Sequence, residues 1–293
     1  AQYGERQILT PEETAKLEGA RADQVAFGNR PTDPNSKYDP KAACDLPGFR
    51  ETACGYNAGW TDPGDLIMRV NGEPRTSLIT FPANGRMPAR LPRPPGAPVP
   101  KRGVYGVAGE NPENQTLGER CITSFGNHAG PVMLASFYNS NYEIVQGTEA
   151  VVILVEMIHD ARVIRLNAQH GPNYVWYGDS IGHWEGETLV VETTKYHPGQ
   201  QMFGGSPNMK VTERFTRVGP KRLRYEFKVE DPSVWASPWG GEYEFGPAKG
   251  PVYEYACHEG NYALPGILRG ARAAEAEAAR KAAAAGGAAS PGQ

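Results

Sequence analysis

From Asn141 onward, apolar and polar positions alternate at period two, and this alternation predicts a mainly β protein. The most apolar run is Val151–Ile158, in which only Glu156 is polar, and it reads as a strand buried on both faces. If it stays regular, Val151, Ile153, Val155, Met157 and His159 share one face, and Val152, Leu154, Glu156, Ile158 and Asp160 share the other. Glu156 and His159 can then line one cavity only if a bulge or bend falls near Ile158. Further strands are expected at Tyr142–Gln146, Arg162–Leu166, Val175–Tyr177, Leu189–Thr194, Lys210–Val218, Arg222–Val229, Glu242–Phe245 and Val252–Cys257. In Arg222–Val229, Leu223, Tyr225, Phe227 and Val229 oppose Arg222, Arg224, Glu226 and Lys228, the pattern of a half-solvated antiparallel strand. Trp184–Thr188 reads as a tight turn around Gly186, and Ser180 as a turn serine. Short strands with hairpin links predict an antiparallel barrel of calycin or lipocalin type, because closure removes exposed edges; a β-sandwich is the alternative.

The first half of the chain carries different signals. Thr10-Pro11-Glu12-Glu13 is a capping box with proline at the first helical position, so a helix should run to about Phe27 and stop at Gly28-Asn29. Its apolar face (Ala15, Leu17, Ala22, Val25) is thin, which places it on the outside of the domain. Leu66–Val70 and Thr76–Phe81 flank Asn71-Gly72-Glu73-Pro74 and read as a hairpin. Residues 82–120 are rich in proline and glycine and carry no regular pattern. Beyond the β region, an Ala/Glu/Arg tail is helical by propensity but has no apolar stripe. The division expected is 1–60, an N-terminal helix and disulfide-stapled arm; 61–268, the β domain; and 269–293, the tail.

Composition narrows the function classes. With 35 Gly and 26 Pro in 293 residues, long irregular loops are expected. A net charge of −3 leaves no footprint for nucleic acid, and no apolar run is long enough for a membrane helix. Four cysteines without zinc-type spacing fit disulfides in an oxidising compartment. Cys44 with Cys54, and Cys121 with Cys257, is the preferred pairing of the three that four cysteines allow. An N-terminal Ala in place of Met fits a mature chain after signal-peptide removal, and the expected location is periplasmic or secreted. Asn114-Gln115-Thr116 matches a glycosylation sequon.

Candidate chemistry lies in polar residues set within apolar strands or at their ends: Arg75, Glu156, His159, Asp160, Arg162, Asp179, Glu192, Glu213, Arg214, His258 and Glu259. A buried carboxylate must be paired or have its pKa raised, and either arrangement marks a possible site. His159 beside Asp160 suits a general base with its orienting carboxylate. Glu156, His159, Asp160 and Arg162 are therefore the candidate catalytic group, with Arg75, Glu213, Trp239 and His258 as substrate-binding residues. Trp235, Trp239, Tyr253 and Tyr255 suit a sugar-binding surface or aromatic core packing equally well. No metal or cofactor motif is present.

Several longer segments carry a family resemblance: Arg75–Ile79, Glu156–Arg162 (EMIHDAR), Gly178–Thr194 (including WEGETLVVETT), Glu213–Arg217 (ERFTR), Tyr225–Pro232 and Tyr253–Tyr262 (YEYACHEGNY). Together they resemble a family of uncharacterised secreted bacterial proteins over about residues 56–272. The resemblance implies an exported bacterial protein with a β-rich body and brings no activity with it. The family pattern has Arg where this chain has Ile181 or His183, which weakens any role for that turn. The first expectation is an acid/base hydrolase or lyase acting on a small molecule or glycoside. The second is a non-catalytic accessory subunit of an extracytoplasmic or membrane-attached assembly, contacting protein partners through the N-terminal arm, the Pro-rich loop and the tail. The third is a ligand-binding barrel without turnover.

Overall fold

The computed structural model describes residues 3–28, 35, 64, 66–93, 111–124, 130–134, 139–200, 202–248 and 250–287. Cys44, Cys54, most of the N-terminal arm and residues 94–110 of the Pro-rich loop lie outside these. Helix α1 spans Pro11–Gly28. The Thr10 backbone N–H donates to Glu13 Oε2 at 2.8 Å, and the Glu13 N–H donates to Thr10 Oγ1 at 3.2 Å, forming the expected capping box. Arg6 also donates to both Glu13 oxygens, and these bonds hold the Glu13 carboxyl down at about 2.

A small sheet pairs β1 (Arg69–Val70) with β2 (Glu73–Pro74) around Asn71-Gly72. The hairpin is thus shorter than its pattern suggested, and its expected second strand serves elsewhere. Ile79–Phe81 (β3) pairs instead with β11 (Trp239–Phe245) at one edge of a nine-stranded sheet. The remaining strands are β4 (Tyr142–Gln146), β5 (Ala150–Val155), β6 (Ala161–Leu166), β7 (Asp179–Glu185), β8 (Thr188–Thr194), β9 (Lys210–Gly219) and β10 (Arg222–Glu230). Their order is β3-β11-β10-β9-β8-β7-β6-β5-β4.

Three features depart from the expected antiparallel barrel. The ladder ends at β3 and β4, which do not pair, so the sheet is open. One pair, β6 with β7, is parallel, which makes the sheet mixed. There is also a single large sheet among the described residues, where a sandwich requires two. The sheet nonetheless curls: Tyr142 on edge strand β4 meets Phe245 on β11 edge to face, with ring centroids 5.5 Å apart. One core cluster accordingly unites Val151 and Ile153 with Val191, Phe215, Tyr225, Trp239 and Tyr243. The segment 130–134 enters this concave face; Met133 N–H donates to Tyr225 OH at 3.0 Å, and Tyr243 OH donates to the Met133 carbonyl.

Strand β7 replaces the turn expected around Ser180 and Trp184; only Gly186-Glu187 turns, with Gly186 at φ +61°. Its inward residues are Ser180 and Gly182, so it carries no apolar alternation, and its two flanking ladders make it a strand. Val175–Tyr177 is a turn with one isolated bridge, Val175 to Tyr196. Residues 251–256 form no strand, because β3 already pairs with the free side of β11. That pairing depends on Gly241, where a Cβ would lie 1.8 Å from the Leu78 carbonyl oxygen. Short helix α2 (Cys257–Gly260) and long helix α3 (Ala263–Gly287) are the last described elements, so the terminal helix begins before the expected boundary at 269. Cys121 and Cys257 are disulfide-bonded, with Cα atoms 5.8 Å apart.

Candidate functional site

Strand alternation turns Arg162 on β6, Ser180 on β7, Thr193 on β8, Glu213 on β9 and Tyr225 on β10 toward the concave face. Arg162 Nη1 donates to Glu213 Oε1 at 3.0 Å, and Nη2 also bonds Glu213 Oε2. Arg162 Nε donates to Ser180 Oγ at 3.1 Å, and Nη2 donates to Thr193 Oγ1 at 3.1 Å. Tyr225 OH donates to Glu213 Oε1 at 2.7 Å. Burial works against the Arg162 charge, but Glu213 outweighs it and holds the guanidinium pKa above its ordinary value. The network is buried, and its two charges are paired with each other. Its burial keeps both charged groups away from solvent and from an incoming molecule.

Glu156 is also buried, but in a different setting. Strand β5 ends at Val155, and a 3-10 turn over Met157–His159 follows, with Ile158 and His159 at φ +60° and +44°. Glu156 accepts from Asn141 Nδ2 at 2.8 Å and from the Tyr253 N–H at 3.1 Å, which ties the chain after β11 to the end of β5. His159 is exposed on the turn. Asp160 accepts from Tyr177 OH, whose oxygen in turn accepts the Ser124 N–H at 3.0 Å. Desolvation raises the Asp160 pKa, and the Tyr177 and Ser124 hydrogen bonds and the His159 charge only partly offset it. No side-chain hydrogen bond or ion pair joins any two of Glu156, His159, Asp160 and Arg162.

The remaining sequence candidates are dispersed. Arg75 donates to Glu242 at 2.8 Å, on the outer face of β11. Trp239 is core, packed edge-on against Phe203, Phe227 and Trp235. His258 is exposed on α2, beside the disulfide. Asp179 and Glu192 meet across His170, a residue that sequence reading passed over: Nδ1 lies 3.0 Å from Asp179 and Nε2 3.3 Å from Glu192. Arg165, Lys195 and Lys210 complete this surface cluster through Asp179, the Gly171 carbonyl and Glu192 respectively. Its isolated position between two apolar runs gave His170 no local signal.

A separate concavity lies at the other end of the curled sheet. A cleft of about 1820 Å³ is lined on its inward side by Ile144, Ile153, Leu189, Phe215, Leu223 and Phe245. Trp184, Arg217 and Lys221 also line it. Ile153 and Phe215 are buried at its base, whereas Ile144 and Trp184 are 41% and 42% exposed at its opening. The Arg162–Glu213 pair sits beyond this base, since Ile153 is the cross-strand neighbour of Arg162 and Glu213 precedes Phe215 by two on the same face of β9. Among the described residues, no group of three or more His, Cys, Asp or Glu is placed to hold a metal. No described helix is long and apolar enough to cross a membrane. Comparison with protein-family models, with curated proteins and with solved structures found no match.

Proposed function

We propose that this is an extracytoplasmic binding protein that holds an apolar small molecule in the cleft of its curled sheet. The observation that carries this reading is the cleft itself, a concavity with an apolar base built by inward residues of β4, β5, β8, β9, β10 and β11 and a charged rim. Solvent-facing Ile144 and Trp184 at its opening are apolar surface that a soluble domain does not ordinarily gather in one hollow. The Cys121–Cys257 bond supports an oxidising compartment. An acid/base enzyme has less support, because Arg162 and Glu213 satisfy each other in the core and Glu156 is spent on Asn141 and Tyr253.

The test is a titration with N-phenyl-1-naphthylamine, an uncharged fluorophore that brightens in apolar surroundings. Saturable brightening is expected, together with a change in Trp184 emission. Ile144→Glu places a charge in the opening at an already exposed position and should weaken binding about tenfold or more, with the melting temperature unchanged. Absence of saturable binding to the unaltered protein would overturn the proposal.

A further inference from the structure

We infer that the cleft takes a long-chain carboxylate whose head group is held by Arg217 at the opening, an inference that rests on the cleft being the binding site. On β9, Val211, Glu213, Phe215 and Arg217 succeed one another on the inward face. Phe215 forms part of the apolar base, and Arg217 stands two residues further along, a rise of about 7 Å. A ligand chain lying against the half-buried Leu223 and Phe245 thus brings its end to the guanidinium, since Leu223 is the cross-strand neighbour of both Arg217 and Phe245.

The state of Arg217 sets it apart. Among the described residues, every other arginine on a strand is tied to an acceptor. Arg69 pairs with Glu18, Arg162 with Glu213, Arg165 with Asp179, and Arg214 with Glu185. Arg222 pairs with Glu244, and Arg224 bonds Asn71. Arg217 has no such partner among the described residues and stands exposed at the opening of the cleft. A guanidinium is always charged, is weakly hydrated and offers a planar fork that matches a carboxylate, so at an apolar opening it selects that head group over a neutral one.

The charges around it agree with an anion. The lining contains Arg69, Arg217, Lys221 and Arg222 against Glu187 and Glu244. Glu244 is taken up by Arg222 at 3.3 Å and by the Asn71 N–H at 2.8 Å. Glu187 is the one competing carboxylate; it sits in the β7–β8 turn next to the Thr188–Thr216 pair and makes no ion pair among the described residues. Volume favours a long tail, since about 1820 Å³ exceeds the ~300–1000 Å³ of ordinary small-molecule pockets.

The experiment displaces N-phenyl-1-naphthylamine with dodecanoate, methyl dodecanoate and dodecyl phosphate. Dodecanoate should displace the probe at about tenfold lower concentration than its methyl ester. Arg217→Gln should abolish that preference with the melting temperature unchanged, Arg217→Lys should retain part of it, and Glu187→Gln should strengthen it. Equal potency of acid and ester on the unaltered protein would overturn the inference while the cleft reading stands. Stronger displacement by dodecyl phosphate would overturn the carboxylate assignment. Failure of the probe itself to bind would remove the cleft reading and this inference together.

Discussion

The Glu213 carboxylate clasps the Arg162 guanidinium through both of its oxygens, with the two side chains 0% and 2% exposed. Two charges held so deep are stable only together. Removing one partner, as in Glu213→Gln or Arg162→Met, should cost about 3–5 kcal/mol, because the other is left buried and uncompensated. Replacing both with apolar residues of similar volume should recover much of that loss. Urea denaturation of the two single variants and the double variant checks it; singles as stable as the parent would show that the interior is wetter than this geometry implies.

The disulfide between Cys121 and Cys257 joins positions 136 residues apart. It anchors the 111–124 segment to α2, where Asn261 Nδ2 also donates to the Glu119 carbonyl at 2.8 Å. Cys121→Ser with Cys257→Ser should lower stability by about 2–5 kcal/mol. Guanidinium unfolding of the parent protein with and without reductant should show a matching difference, and coincident curves would contradict it.

Asp160 provides a test of sign. Desolvation raises its pKa in the folded protein, so its contribution to stability is fully present below the unfolded carboxyl pKa, near 4, and is lost as pH rises through the folded value. Above that value the ionised side chain is a burden. Asp160→Asn keeps an acceptor for Tyr177 OH and should melt higher than the parent at pH 7 and no higher at pH 3. A variant that melts lower at pH 7 would show that the charge itself is required there.

Asp179 and Glu192 behave in the opposite way. Burial works to raise the Asp179 pKa, but the Gly171 N–H, His170 and Arg165 outweigh it and bring it below its ordinary value; Lys210 is the main cause for Glu192. Depressed carboxyls contribute stability above their unfolded pKa, near 4, and lose it as pH falls through the lower folded values. The urea midpoint of the parent should therefore drop below pH 4, and the drop should be shallower in Asp179→Asn and in Glu192→Gln. Unchanged acid sensitivity in both variants would locate the acid-labile groups elsewhere.

Helix α3 contributes little beyond its first turns. All its side chains described beyond Ala271 are exposed, and its ion pairs, Arg272–Glu275 and Lys281–Glu277, are on the surface. Deleting residues 273–293 should leave the melting temperature unchanged to within about 2 °C. A larger drop in the monomer would mean that the helix is held by contacts with the body.

Strand β10 was legible from its residues because a solvated sheet face demands polar side chains at alternate positions, and Arg222–Val229 displays that demand locally. The α1 cap was equally local, with both partners within four residues of each other. The polar candidates Glu156, Arg162 and Glu213 stood out for the same reason, as charges on apolar strands. Their roles did not, since Arg162 and Glu213 are 51 residues apart and only strand order brings them together. Strand β7 was hidden because Ser180 and Gly182 face inward and supply no contrast, so its identity comes wholly from the β6 and β8 ladders. Closure of the barrel also depended on long-range pairing, and pairing β3 with β11 while β4 remains an edge left the sheet open. The cleft draws its lining from strands scattered over a hundred residues, and Arg217 differs from the other strand arginines in lacking an acceptor among the described residues. Hydrophobic alternation is a property of neighbours in sequence and could be read there, whereas a shared concavity and an unmatched charge are properties of neighbours in space, decided only when the sheet curled.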